Sequence, residues 1–419
     1  MESLILQGAA PISALRRAAC GEGWVAVPNR HRISSLSTVD WCTLLRAILG
    51  ASLESGHTIE RLCNGDDIFP TMLASIRSAN KSIEFLSFIF TEGRIARRFC
   101  DALIERADAG VRVRVLLDAV GAKALGNQLI EQLRSSPVDL KVFHPVSSWK
   151  IWRAPSRNHR KILVVDDRVA YTGGVGVADE WLGRGDQPGC HRDTHFRLTG
   201  PIVGQIKAAF MANRASSGGH LPDPLAVLQQ HGKGRGGCPA AIVDAPAASK
   251  FSRIATLFQL MVRGAQQSVD IVTPYFVPGD ALVKELIQAA DRGVDINIMV
   301  SGRETDHHLP LYAGRQAYQP LLDAGIGIEE FDATLLHTKL FIVDRHLVVF
   351  GSPNVNQRSQ SLDEELAVVA CDRALARQLL DDREADRRDC RRIDRERWRR
   401  RSWRMRLVEH AARLFRSQI

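Results

Sequence analysis

Two short runs carry the residues whose types and spacing could do chemistry. His159, Arg160 and Lys161 lead into the apolar run Ile162–Val165 and then Asp166; His337, Thr338 and Lys339 lead into Leu340–Val343 and then Asp344. Each apolar run reads as a buried strand. Residues two apart on a strand share a face, so each His points the same way as its Lys. Each Asp, an odd number of residues from both, points away and supports the strand. A neutral imidazole can attack phosphorus to give a phosphohistidine, while a second, protonated imidazole delivers a proton to the departing alcohol. Two lysines supply fixed positive charge as the phosphoryl oxygens gain charge in the transition state. Phosphodiester chemistry of this kind needs no metal or other cofactor. The sequence also lacks a carboxylate cluster or a His-x-x-x-His spacing that would hold one. One copy of the pattern would be weak, because strands flanked by polar residues are common; two copies at matching places in a repeat are much harder to obtain by chance.

The elements that position these runs repeat along the chain. Residues 81–90 (KSIEFLSFIF) match residues 267–276 (QSVDIVTPYF). Helical-looking segments precede them at 67–79 and 254–265. After each comes a helical stretch ending in Ala-Asp-x-Gly, a strand at 111–117 or 294–300, and then the His-Lys-Asp run. Strands alternating with helices indicate an α/β fold in which a sheet is covered by helices, duplicated as units of roughly 150–180 residues. The division expected is an N-terminal extension without counterpart at 1–60, a first domain at 61–215, a Gly- and Pro-rich linker or mobile loop at 216–250, a second domain at 251–371, and a basic helical tail at 372–419.

Composition narrows the setting. With 419 residues, 45% hydrophobic and 25% charged, the chain is globular with room for a large core. No run approaches the roughly 20 apolar residues that span a bilayer. Residues 1–20 lack a basic leading segment and carry Pro11, which argues against a signal peptide. The eight cysteines are scattered without a Cys-x-x-Cys pair, as expected of reduced thiols. Residues 387–416 hold 13 Arg and 4 acids, a surplus as large as the +9 of the whole chain. The rest is close to neutral, which argues against a nucleic-acid groove and for a docking surface on one tail. Trp403, Leu407, Ala411 and Leu414 recur at helical spacing among arginines, with Phe415 beside them. Such a helix suits the surface of an anionic membrane; a helix packed on the body with a solvated Arg face is the competing reading.

Further residues carry a resemblance. Gly351, Ser352, Pro353 and Asn354 follow the second motif, then Arg358-Ser359 and Glu365; residues 273–278 read TPYFVP; the first half has Gly173-Gly174, Arg192-Asp193-Thr194-His195 and Gly200-Pro201. Over residues 60 to 370 or so the chain resembles the phospholipase D superfamily and, within it, the bacterial cardiolipin synthases. The resemblance implies two α-β-α sandwich domains related by a pseudo-twofold axis, with one active site at their interface. One His becomes phosphatidylated and the other serves as acid, then base; His159 is taken as the nucleophile, with His337 a rival. Asp193 and Glu365 are each expected to orient the His of their own half, and Ser352 and Asn354 to donate hydrogen bonds to phosphate. Where the family often has Ser and Asn, the first half has Gly174 and Gly176, so the phosphate pocket should be asymmetric. The implied reaction is cardiolipin synthesis from two phosphatidylglycerol molecules with release of glycerol. It would take place at the cytoplasmic face of the cell membrane by a peripheral enzyme that needs no obligatory protein partner. A phospholipase D-type hydrolase or nuclease, and a catalytically weak membrane- or phosphate-binding relative, are the alternatives. Outside the motifs, Cys190, His191, Asp193 and His195 are metal-capable but fall short of a converging ligand set. His307-His308 reads as a surface pair, and Asp118 as a cleft residue or a strand-end cap.

Overall fold

The computed structural model describes residues 36–121, 123–143, 156–219, 234, 236–246 and 251–413. The first half supplies β1 (Glu54–Cys63), β2 (Ser82–Ser87), β3 (Arg112–Asp118), β4 (Asp139–Phe143), β5 (Ile162–Val165), β6 (Val169–Gly173), the two-residue β7 (His191–Arg192) and β8 (Thr194–Thr199). The second supplies β9 (Cys238–Ala245), β10 (Ser268–Thr273), β11 (Asp295–Ser301), β12 (Gly327–Phe331), the two-residue β13 (Leu335–Leu336), β14 (Leu340–Val343), β15 (Leu347–Gly351), β16 (Glu365–Cys371) and β17 (Cys390–Arg392). Fifteen of these form one sheet, ordered β17-β12-β11-β10-β14-β15-β16-β9-β1-β8-β6-β5-β2-β3-β4. Read outward from the antiparallel β1–β9 pair, both halves lay down equivalent strands in the same order. The two α-β-α halves are therefore fused through their central strands.

Side chains alternate between two apolar layers, as a period of two requires. Ile83 and Phe85 of β2 enter the core under α2 (Asn64–Arg77) and α3 (Arg94–Asp108), which follow α1 (Thr38–Leu49) in the chain; Leu86 enters the opposite layer with α4 (Ile202–Ser216). In the second half, Val269 and Ile271 lie under α5 (Arg253–Gly264) and α6 (Asp280–Asp291), and Val272 enters the opposite layer. That opposite layer is common to both halves. Phe196 of β8 and Phe350 of β15 stack within it with centroids 3.7 Å apart. Strands covered on both faces read as continuous apolar runs, which is why the motif strands were visible in the sequence.

Three segments differ from the expected division. Residues 36–60, left without a role by the sequence, hold α1, whose Trp41, Leu45 and Leu49 join the second half's core, and the start of β1 at the sheet centre. The expected linker contains β9, which pairs with β16 over its length and with β1 on its other side; its small residues, CPAAIVDA, resemble linker composition yet suit a crowded central position. After α7 (His308–Arg315), the expected tail begins with α8 (Arg373–Asp386), which buries Leu375, Ala376 and Leu379 in the shared layer, and β17 returns to the sheet edge against β12. Among the described residues, the rest of the tail holds a five-residue helix at Arg395–Arg399 and then α9 (Trp403–Arg413). The seven cysteines among the described residues are free thiols.

Each motif aspartate opens a tight turn and points away from the motif's His and Lys. Asp166 and Asp167 have φ of 53° and 58°, and Asp344 and Arg345 have 50° and 53°, a left-handed pair at each hairpin that Asp tolerates better than most residues. The Asp166 carboxylate accepts the backbone N–H of Asn80, Lys81 and Ser82 at 2.7–2.9 Å. Asp344 does the same for Gln266, Gln267 and Ser268 at 2.7–3.1 Å. Each Asp thus fastens its motif hairpin to the entry of the neighbouring antiparallel strand. Asp166→Ala leaves three donors without this partner and places Ala in the left-handed region, so a loss of about 2–4 kcal/mol is expected. Urea unfolding reads it as a lower midpoint at unchanged slope.

Candidate active site

The geometry of the site begins with where each motif's backbone goes. The residue before His159, Asn158, bridges to Glu364 in the other half, and His159 N–H donates to the Glu364 carbonyl at 3.0 Å. Likewise β13 runs parallel to β7, and His337 N–H donates to the Arg192 carbonyl at 2.7 Å. One residue further along each partner strand stands a carboxylate. Glu365 Oε1 lies 3.0 Å from His159 Nδ1, and Asp193 Oδ2 lies 2.9 Å from His337 Nδ1. The expectation that each carboxylate orients the His of its own half is overturned: the partners are exchanged. Register between the halves decides this, and a sequence read one half at a time contains no trace of it. Neither half holds a complete His–carboxylate pair.

A carboxylate that accepts a hydrogen bond from Nδ1–H fixes the tautomer and leaves Nε2 with its lone pair toward the cleft. Both lysines are buried beside the histidines. Lys161 Nζ donates to the His159 carbonyl and Lys339 Nζ to the His337 carbonyl, each at 2.7 Å; Lys339 Nζ also lies 3.2 Å from both ring nitrogens of His337. Burial, then the charge of Lys339, brings Lys161 down to about 7. Burial brings Lys339 down to about 8, against the pull of Asp193 and Glu365. Burial also lowers His159, against Glu365, and lowers His337 well below the usual imidazole value with the help of Lys339 and His191. The two carboxylates differ. Burial raises Asp193, whereas at Glu365 the same burial is outweighed by His159, Lys161 and the Ser352 hydroxyl, leaving it below its ordinary value.

The walls are unequal, as the sequence suggested, but the compensation was not foreseen. Ser352 does not present its hydroxyl to an open cleft. It donates to Glu365 and accepts from Leu366 N–H at 3.0 Å, so it holds the carboxylate that holds His159. In the first half a Cβ on Gly174 would come within 2.6 Å of Asp193 Oδ1 and 2.8 Å of the His337 carbonyl, leaving no room for a serine. Trp181 takes over that role, donating from Nε1 to Asp193 Oδ2 at 3.0 Å and setting its ring edge-on to His337 at 5.2 Å. A side chain at Gly176 would meet Ile89 Cβ at 2.8 Å. Nothing in the motif spacing pointed to Trp181. Trp181→Phe keeps the ring and removes the donor; kcat is expected to fall about tenfold, the worth of one hydrogen bond to a charged group, with KM little changed in steady-state assays.

The remaining expected residues sit around this centre. Asn354 is buried, donates its backbone N–H to Ser359 Oγ at 3.2 Å, and has no hydrogen-bond partner on its side-chain oxygen. Asp118 anchors the arm that delivers His159, accepting Asn158 N–H at 3.0 Å and Val120 N–H at 2.8 Å. Phe88, which the sequence did not single out, packs against His159 at 5.1 Å with Lys161 Nζ 5.5 Å from its ring centre. His191 lies against Trp181 at 4.4 Å, and His307 is on the rim beside Tyr275.

A duplicated α/β sheet with two His-Lys-Asp motifs converging on one crossed His–carboxylate centre defines a class of phosphoryl-transfer scaffold. The family described as "Cardiolipin synthase, PLD-like domain" matches residues 72–182 and 260–387, one block in each half, and the chain belongs to that family. It is 32% identical to cardiolipin synthase 2 of Bacillus cereus over 377 residues, covering 87% of this chain and 72% of the relative. It is 33% identical to the cardiolipin synthase of Geobacillus kaustophilus over 313 residues, covering 73% and 61%. Among solved structures, phosphatidylserine synthase of Haemophilus influenzae superposes with a TM-score of 0.69 over 90% of this chain and all of that one (100%), at 14% identity. Polyphosphate kinase of Porphyromonas gingivalis superposes with a TM-score of 0.54 over 81% of this chain and 49% of the other, at 16% identity. At these identities the two structures speak to the fold alone.

Proposed function

We propose that this protein is a phosphatidyltransferase that joins two phosphatidylglycerol molecules into cardiolipin and releases glycerol, through a phosphohistidine on His159. The crossed pair of histidines carries the reading, together with the relatives named as cardiolipin synthases. The four innermost charges, Lys161, Lys339, Asp193 and Glu365, balance. A phosphodiester monoanion entering among them calls in one proton, and His337 is placed to receive it. His159 Nε2 then attacks phosphorus, the P–O bond to glycerol breaks, and His337 protonates the departing oxygen. Neutral His337 next takes the proton from a hydroxyl of the second lipid, whose oxygen attacks phosphorus and breaks the P–N bond. The lysines hold the phosphoryl oxygens through both steps.

A membrane surface as partner is supported by α9. The helix is held to the body by Glu409, buried and paired with Arg401 at 2.9 Å, and by Ala412 against Val277 and Ala313. Trp403 and Leu407, one turn apart, stay 67% and 58% exposed, with Arg404 over the Trp403 ring at 5.7 Å. Leu414 and Phe415 lie outside the described residues. Part of the tail's charge is met by the body: Arg387 pairs with Glu329 at 2.7 Å, Arg391 with Asp332 at 3.1 Å, and Arg395 and Arg399 with Asp323 at 2.8 and 2.7 Å. Packing on the protein and facing a bilayer are therefore done by different sides of one helix. No described helix is long and apolar enough to cross a membrane.

Purified protein incubated with phosphatidylglycerol vesicles tests the reading, with lipids resolved by mass spectrometry. Cardiolipin with equimolar glycerol is expected. Phosphatidic acid alone would make the protein a hydrolase, and no turnover would leave a binding relative.

A further inference from the structure

The two walls of the cleft differ in polarity at equivalent places. Where the first half has Phe88 and Ile89, the repeat places Pro274 and Tyr275. Val272 stands opposite Leu340 in the β10–β14 pair, as Leu86 stands opposite Ile162 in β2–β5. Just past these strand ends Phe88 packs against the His159 ring at 5.1 Å, while Tyr275 holds Asp306, whose charge acts on His337. Phe88 gives the His159 side an apolar lining. On the His337 side the Tyr275 hydroxyl donates to Asp306, a carboxylate 41% exposed at the rim, with His307 Nε2 3.8 Å from its other oxygen. His191 extends the polar wall, its ring 6.1 Å from that of His337. Asp306 also acts through space on both rings, favouring their protonated forms.

We infer that Tyr275 and Asp306 form the subsite for the polyol headgroup that leaves from, or attacks, phosphorus on the His337 side. A carboxylate accepts two O–H bonds and a phenol can both donate and accept, which fits a vicinal diol. A simple alcohol or water offers no second hydroxyl to such a pair. The placement is chemically consistent with the roles above: the group that exchanges protons with alcohol oxygens stands beside the wall that recognises their hydroxyls, and the nucleophile stands beside the apolar wall. The identity of the headgroup as glycerol rests on the transfer reading.

The test is equilibrium binding of two soluble probes to the full chain by calorimetry: glyceryl methyl phosphate, and dimethyl phosphate, in which a methyl ester replaces its one glycerol. Both share the phosphodiester. The wild-type protein is expected to favour the first by about tenfold or more, and Asp306→Asn and Tyr275→Phe each to erase about tenfold of that preference, the worth of a charge-assisted hydrogen bond, while binding dimethyl phosphate as before. Asp306 is at the rim, so its Asn variant tests the subsite without disturbing the core. Equal affinity of the wild type for both probes, or variants that keep the preference or weaken both probes alike, overturns the assignment. Because this readout needs no turnover, its failure is separable from a failure to make cardiolipin in the vesicle assay.

Discussion

His159→Ala is expected to stop product formation and to leave no phosphorylated intermediate, a loss of at least about 10³-fold and the largest of any single change, because the covalent route loses its acceptor atom. Several features favour His159 over its pseudo-symmetric rival. Its ring contacts Phe88 rather than a polar wall. Its carboxylate is the one held below its ordinary value, where it stays ionised and keeps the proton on Nδ1. Asp306 favours the imidazolium of His337 against the burial and neighbouring cations that lower it, and an entering phosphodiester anion adds to that pull, as an acid requires. His337→Ala should therefore behave differently: slow turnover on lipids with a poor leaving group, but a burst of about one p-nitrophenol per site from an activated p-nitrophenyl phosphodiester, whose leaving group needs no proton, followed by slow discharge because the base for the second alcohol is gone. Turnover of His159→Ala at wild-type rate would reverse the assignment.

The second large effect comes from the exchanged carboxylates. Glu365→Gln and Asp193→Asn are each expected to lower kcat by about 10²–10⁴-fold, the range seen when an orienting carboxylate is lost behind a catalytic imidazole. A pH profile separates orientation from simple damage. The negative charge of Glu365 holds the His159 pKa up against burial, so its removal should move the acid limb of kcat/KM to lower pH. The alkaline limb should move to lower pH as well, since it reflects Lys161 near 7 and Lys339 near 8 losing their protons in the free enzyme, and the Glu365 charge holds both of them up. Substrate phosphate restores charge to both lysines, so the alkaline limb of kcat is expected at higher pH than that of kcat/KM. An unmoved acid limb in Glu365→Gln would mean that His159 does not titrate there.

Much of this was legible in the sequence, for identifiable reasons. A strand buried on both faces announces itself as an apolar run, so the positions of His159, Lys161, His337 and Lys339 and the outward turn of Asp166 and Asp344 followed from period alone. What failed to show was register across the two halves. The Asn158–Glu364 bridge and the β7–β13 pair span very few residues, and they decide which carboxylate meets which histidine. Composition misled at β9, where alanines suit a crowded sheet centre as well as a linker, and at α8, where charge hid a buried stripe. The missing first-half hydroxyl was noticed, but its replacement by Trp181 depends on a loop returning to Asp193, and on Gly174 leaving it space.

The central claim is a phosphatidyl group carried on His159 of a single composite site. The most direct measurement is rapid quenching of the enzyme with short-chain phosphatidylglycerol into alkaline denaturant, which preserves the P–N bond, followed by peptide mass spectrometry. The account requires a phosphatidyl adduct on the peptide bearing His159, formed within the first turnover and discharged by added phosphatidylglycerol as cardiolipin appears. An adduct on the His337 peptide, or cardiolipin formed with no adduct on either histidine, would contradict it.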